Sequence, residues 1–296
     1  MEDSPKAVLY MLAASFSFAV MALCVKMAHD VSIYDKVLVR NLMTMVLAFV
    51  VVRRQGHRLL GALANQPILL ARDIFGIIGV AAFFYALNHL LLVDADMLNK
   101  LSPFFITLFA FLFLKEKIYK AQILGLFLAF SGALLVIKPR FDLSVAPALV
   151  GVASAIGAGA AYTLLRHLKD REAPETIIFH FSLFSVAVAL PGTVYGFTGL
   201  PDTATLLWLL GVALGATGGQ FGVTLAYRYA PASQVSVYLY TTILFSALLG
   251  LVVVGEAPDR LSILGGVLIV LAALTSYHSS RRQSRQATRI SQKQQG

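Results

Sequence analysis

Charge is scarce in this 296-residue chain: 13% of it is charged and 58% is hydrophobic. A soluble protein of this length could not hide that much apolar surface in one core. Cysteine is nearly absent. Cys24 stands alone, which excludes a disulfide framework and a cysteine-built metal cluster. There is no GxxxxGK[ST] phosphate loop, so ATP does not drive the protein directly. The H-E-x-x-H and G-x-S-x-G patterns are missing too, and with them the commonest signs of a hydrolase. An intramembrane enzyme would need paired acids or a histidine–acid set at one depth. Only His89 with Asp94 and Asp96 comes near that, at a span boundary. The chain is therefore read as a non-enzyme without cofactor or metal, with an enzyme or a non-transport scaffold as remote alternatives.

Long apolar runs are what the chain has. Ten of them lie at about 7–28, 33–52, 73–92, 95–114, 121–138, 146–167, 175–197, 204–226, 231–253 and 261–278. Each is close to the roughly 17–25 residues a spanning helix needs. Connections such as VDA and KEKIYK are short. The expected fold is all-α, a polytopic membrane protein of ten spans with no extramembrane domain. MEDSPK runs directly into the first apolar stretch without a small-residue cleavage site, so that stretch reads as a retained span.

Basic residues set the expected orientation. Arg53, Arg54, Arg58, Arg72, Lys115, Lys117 and the tail SSRRQSRQATRISQKQQG fall on one side, whereas Lys36, Lys138, Arg140 and Arg260 fall on the other. Both termini are expected in the cytoplasm, the protein in the inner membrane of a bacterial-type cell. The tail reads as a disordered basic end beside anionic lipid. The net charge of +9 then calls for a lipid bilayer and not for nucleic acid.

The chain repeats itself at an offset of 140. Phe105 meets Phe245, Leu108 meets Leu248, Glu116 meets Glu256, and Ile123-Leu124-Gly125 meets Ile263-Leu264-Gly265. The expected division is 1–140, 141–278 and a tail 279–296. Five spans per repeat is an odd number, so the second copy enters the membrane with opposite polarity. Inverted repeats are the signature of alternating-access carriers, with substrate held between the halves.

The stretches NKLSPFFITLFAFLFLKEK and YLYTTILFSALLGLVVVGEAP resemble the drug/metabolite transporter superfamily, and within it the EamA-domain carriers. Pro103 matches the family's usual proline, and Ile243 replaces it in the second repeat. The resemblance implies ten helices around a central cavity lined mostly by spans 3, 4, 8 and 9, with spans 5 and 10 at the ends. It also implies carriage of a small molecule, export in many bacterial members, and a substrate class that the motifs do not fix.

Polar residues inside spans must find partners or face water. Gln234, Tyr238 and Thr241 share one face of span 9, and Gln220 and Thr224 one face of span 8. Span 3 carries Tyr85, Asn88 and His89, span 6 carries Tyr162, and span 7 carries His180. They can bind an amphipathic metabolite or bond helix to helix. His180 reads as an interhelical bond before a proton relay. Lys100 can snorkel and pair with Asp96 at i−4, or present a cation to a substrate carboxylate; its repeat-mate is Tyr240. Arg40 should find Asp94 or Asp96, or clamp a substrate. Glu116 and Glu256, ending spans 4 and 9, suit caps or ion pairs. The glycines of GVALGATGGQFG suit close helix contact. The candidate substrate-binding set is Lys100, Arg40, Tyr85, Asn88, Tyr162, Gln220, Gln234, Tyr238, Tyr240 and Thr241.

The expected function is secondary transport of a small amphipathic metabolite by alternating access, protons being a candidate coupling ion. Amino-acid-like or carboxylate-bearing compounds fit, including metallophore-type conjugates. Export is favoured, and uptake of a vitamin or nucleotide-like compound is the alternative.

Overall fold

Without water, a chain satisfies its own N–H and C=O groups by winding into helices. The computed structural model describes residues 5–114, 120–138, 145–168, 171–197, 199, 201–230 and 235–295, with no strand among them. The helices are α1 (Pro5–Met27), α2 (Ile33–Gln55), α3 (Gln66–His89), α4 (Leu92–Asn99), α5 (Ser102–Leu114), α6 (Lys120–Ile137), α7 (Ala146–Leu168), α8 (Pro174–Tyr195), α9 (Thr203–Tyr229), α10 (Thr241–Leu249) and α11 (Arg260–Gln295). The fourth span is broken into α4 and α5. The ninth joins a 3-10 turn (Ser236–Tyr240), α10 and a π turn (Gly250–Val254). Ten spans result, as expected. Phe113, Phe127, Leu244 and Val252 stand exposed on the outer surface, a poor surface in water but the natural one against hydrocarbon.

Local sequence explains the ends. Ser32 starts α2 by accepting the Tyr34 N–H at 3.2 Å, and Gly56, at φ 71°, ends it in the left-handed region. α3 begins at Gln66, not at the expected 73, because Pro67 sits in its first turn, where a missing N–H costs nothing. That shift draws Arg72 into the span, one residue before Asp73. In the fourth span the break at Lys100 and Leu101 lets Pro103 occupy the first turn of α5 instead of a helix interior. α11 does not stop near 278. It runs on through the basic residues expected to be a disordered tail, a stretch rich in helix-favouring arginine and glutamine.

Packing follows the repeat. α1 lies along α9 and α3 along α7, while α2 pairs with α8 and α6 with α11. The first two contacts are one contact seen twice. A Cβ on Gly215 would come 2.7 Å from the Ser17 carbonyl, and one on Gly157 would come 2.9 Å from the Phe75 carbonyl. Ser17 and Gly157 are offset mates, as are Phe75 and Gly215. The α9 glycines thus serve close packing. At the centre the two broken spans meet, with the Tyr240 hydroxyl donating to the Lys100 carbonyl at 3.4 Å.

Glu256 ties the two halves together at one face. Its Oε1 lies 2.8 Å from Lys26 Nζ, and its Oε2 accepts the Leu92 N–H at 2.9 Å, capping α4. It caps the other broken span and not the helix that follows it. Lys26 also donates to the carbonyls of Leu87 and Leu90, so it does not simply snorkel. Glu256→Ala is expected to cost about 3 kcal/mol, the low end for a buried pair because some exposure remains. Glu256→Gln, which keeps an acceptor for Leu92, should cost less. Apparent melting temperatures of the purified variants check the order.

Candidate functional site

α2 presents Lys36, Arg40 and Thr44 at i, i+4 and i+8, on one face toward the bundle interior. Lys36, counted from sequence as a loop charge, is fully buried. Its Nζ donates to Asn88 Oδ1 at 3.1 Å, and no carboxylate stands within ion-pair distance among the described residues. One turn deeper, Arg40 Nη1 donates to Asn41 Oδ1 at 3.1 Å. Arg40 does not meet Asp94 or Asp96, the acids expected from sequence as its partners. Those acids are engaged elsewhere: Asp94 accepts from Ser262 at 3.1 Å, and Asp96 lies 3.8 Å from Lys100 and accepts from Ser246. Both lie in α4, the first half of the broken fourth span.

From α3, Arg72 enters the same interior. Its guanidinium lies 4.2 Å from the centre of the Phe181 ring, and that of Arg40 lies 6.0 Å from the same centre. The two cations are therefore no further apart than the sum of those distances. Gly76 makes room for this ring, since a Cβ there would come 2.8 Å from Phe181 Cε2. Arg72 Nη1 meets Asp73 Oδ1 at 3.1 Å. Together Arg40, Arg72, Asn41, Thr44, Phe181 and Gln220 line a cavity of about 20 Å³ between α2, α3, α8 and α9. It is pinched here to little more than the room of one water.

Three buried polar atoms on this cavity have no partner: Arg40 Nε, Arg72 Nε and Ser182 Oγ. Buried donors are normally satisfied, and an orphan carries its full desolvation penalty. Two guanidinium groups with spare donors, apolar walls and an aromatic face suit a planar anion. Guanidinium binds carboxylate through parallel N–H···O bonds.

Of the residues named from sequence, Arg40 and Gln220 line this cavity. Asn88 holds Lys36. Tyr85 stacks on His89, ring centres 4.1 Å apart. Tyr162 lies exposed on α7. Thr241 donates to the Tyr238 carbonyl at 2.6 Å, which also accepts from Ser15. Lys100 and Tyr240 meet at the break. Gln234 and Glu116 lie outside the described residues. Missed altogether were Arg72, Asn41, Thr44, Phe181 and Lys36. Pro67 was the signal that could have moved Arg72 inside the membrane.

Ten spans in two inverted halves, with a polar cavity between them, define a membrane carrier. The chain belongs to the EamA-like transporter family, which it matches twice, over residues 5–138 and 146–277, and so to the drug/metabolite transporter superfamily. It is 36% identical over 273 residues to the pseudopaline exporter CntI of Pseudomonas aeruginosa, covering 90% of this chain and 94% of that one. A riboflavin transporter of Rhizobium johnstonii is 30% identical, over 73% of this chain and 72% of the other. Human solute carrier family 35 member G1 is 26% identical, with coverage of 89% and 76%. A solved crystal structure at 18% identity superposes with a TM-score of 0.68, covering 94% of this chain and 98% of that one. It shares the fold.

Proposed function

We propose that this protein exports a carboxylate-bearing metallophore of the pseudopaline type. It would sit in the inner membrane with both termini cytoplasmic, and work by alternating access between its halves. The observation that carries this reading is the Arg40–Arg72 pair around Phe181, with a donor to spare on each guanidinium. A cation pair in a cavity attracts anionic metabolites and rejects cationic ones. The resemblance to an exporter over nearly all of both chains supports the direction.

In this reading Arg40, Arg72 and Gln220 contact the substrate, while Lys36 on Asn88 extends the positive track one turn along α2. Lys100, Tyr238, Tyr240 and Thr241 act by shaping the broken spans. The test is metabolite profiling of cells and medium with the gene deleted and overexpressed. The metallophore is expected to build up inside the deletion strain and outside the overexpressor. A flavin or other compound lost from the medium only when the protein is present would favour uptake, to which the riboflavin-transporter relative lends weight.

A further inference from the structure

The cavity's arginines do not stand alone. Asp73, fully buried, uses Oδ1 on Arg72 and Oδ2 on His180, whose Nδ1 lies 2.6 Å away. The other ring nitrogen, Nε2, lies 3.1 Å from Gln66 Oε1. Gln66 cannot offer its NH2 to the ring, because Nε2 of that amide donates to the Leu60 carbonyl. The ring therefore faces an acceptor at each nitrogen. Two arrangements satisfy this geometry. Either an imidazolium donates to both Asp73 and Gln66, or a protonated Asp73 donates to Nδ1 while Nε2–H donates to Gln66. Both hold the same number of protons, one more than a neutral histidine beside a carboxylate.

We infer that the Asp73–His180 pair is a proton-binding site whose occupancy governs anion binding at Arg72. This rests on the proposed reading of the Arg40–Arg72 cavity. With the proton bound, the pair is neutral overall and Arg72 keeps its charge for a substrate carboxylate. When the proton leaves, the pair carries a negative charge that claims Arg72, and anion affinity falls. Proton and carboxylate bind together, so a monoanion crosses as an electrically silent pair. The position suits exchange with water: Gln66 is the first residue of α3, at the end of the bundle where α2 finishes in Arg53 and Arg54.

Other charged groups near the pair are accounted for. Arg40, on α2, lies 6.0 Å from the Phe181 ring centre and bonds to Asn41. Glu172, in the loop before α8, is taken up by the Ala62 N–H at 2.7 Å and Asn65 Nδ2 at 2.6 Å. Arg58 contributes its carbonyl, to Thr176. Glu175 lies in the first turn of α8, and Tyr162 and His167 are exposed on α7.

The test uses the full chain in lipid nanodiscs and has two arms. In the first, without substrate, histidine ring nitrogens are followed by 15N NMR, with His180→Gln identifying the signal. A ring that changes its protonation or tautomer with pH is expected, and Asp73→Asn should move that transition. A His180 ring held in one state throughout overturns the proton site. The second arm measures pseudopaline affinity against pH. Affinity should rise toward low pH, by at most about tenfold per pH unit for one linked proton, and Asp73→Asn should flatten the slope. A wild-type slope of zero or of opposite sign overturns the coupling. Absence of pseudopaline binding at every pH overturns the substrate reading instead, and the first arm still decides the proton site.

Discussion

Replacing Arg72 with glutamine is expected to abolish transport with the protein still folded. Arg72 is one of two cations on the cavity and the only one that also touches the proton-binding pair. Truncating one partner of a buried, hydrogen-bonded charge pair costs about 2–5 kcal/mol, roughly 30-fold to several thousandfold in substrate Kd. Arg40→Gln should weaken binding less, since Arg40 bonds to Asn41 and to no carboxylate. Arg72→Lys keeps the charge but loses the planar fork and its stacking on Phe181, so it too should fold without restoring affinity. Substrate binding to purified variants, alongside gel filtration and melting temperature, separates the two effects. Arg72→Gln with wild-type affinity would remove the arginine pair from the substrate path.

Gly215→Leu is expected to prevent assembly altogether. At this crossing α1 and α9 approach so closely that even a Cβ would meet the Ser17 carbonyl at 2.7 Å, the Met21 N–H nitrogen at 2.8 Å and Met21 Cβ at 2.9 Å. Two of these three are backbone atoms, so no rotamer change relieves the clash. In membranes, close backbone approach at small residues is itself a main source of helix association. Overpacking typically costs about 1–3 kcal/mol, and more where backbone must move. The offset mate of this crossing gives an internal control: Gly157→Leu, which meets the Phe75 carbonyl and the Gly79 backbone at 2.9 Å, should fail in the same way. Gly56→Ala, with nothing within 4 Å of its Cβ but φ at 71°, should be tolerated at about the usual 1 kcal/mol cost of a left-handed non-glycine residue. The yield of monodisperse protein in mild detergent measures all three. Normal yield of Gly215→Leu would mean that the two helices are not held in contact there.

How much of this was legible before any coordinates is clear from particular residues. The apolar runs, their number and the Glu116/Glu256 offset could be read directly, because length and polarity alone decide what crosses a bilayer. The division of labour among charges could not. Lys100 drew attention as a lysine in an apolar run, yet its Nζ lies beside Asp96, one helical turn away. Arg72 and Lys36 were set aside as loop charges because they lie near the ends of apolar runs. A hydropathy window cannot see that Pro67 starts α3 earlier, nor that Lys36, inside the second span, turns to the bundle interior. His180 read as an interhelical bond, and it is one, to Asp73 and Gln66. What the sequence could not reveal is that both ring nitrogens face acceptors, since the partners lie 107 and 114 residues away.

The amino-acid order by itself determined a ten-span, inverted-repeat membrane carrier. Hydrophobic length, basic-residue bias and self-similarity are local or periodic properties that survive without knowledge of neighbours. Only the tertiary structure decided which polar groups share a cavity. Arg40, Arg72 and Asp73 come from the consecutive helices α2 and α3, and His180 from α8, more than a hundred residues later. What brings them together is the packing of α2 against α8 and the seat that Gly76 leaves for Phe181. In a bundle with few charges, function resides in which of them meet, and that is set by helix crossings whose registry no single helix encodes.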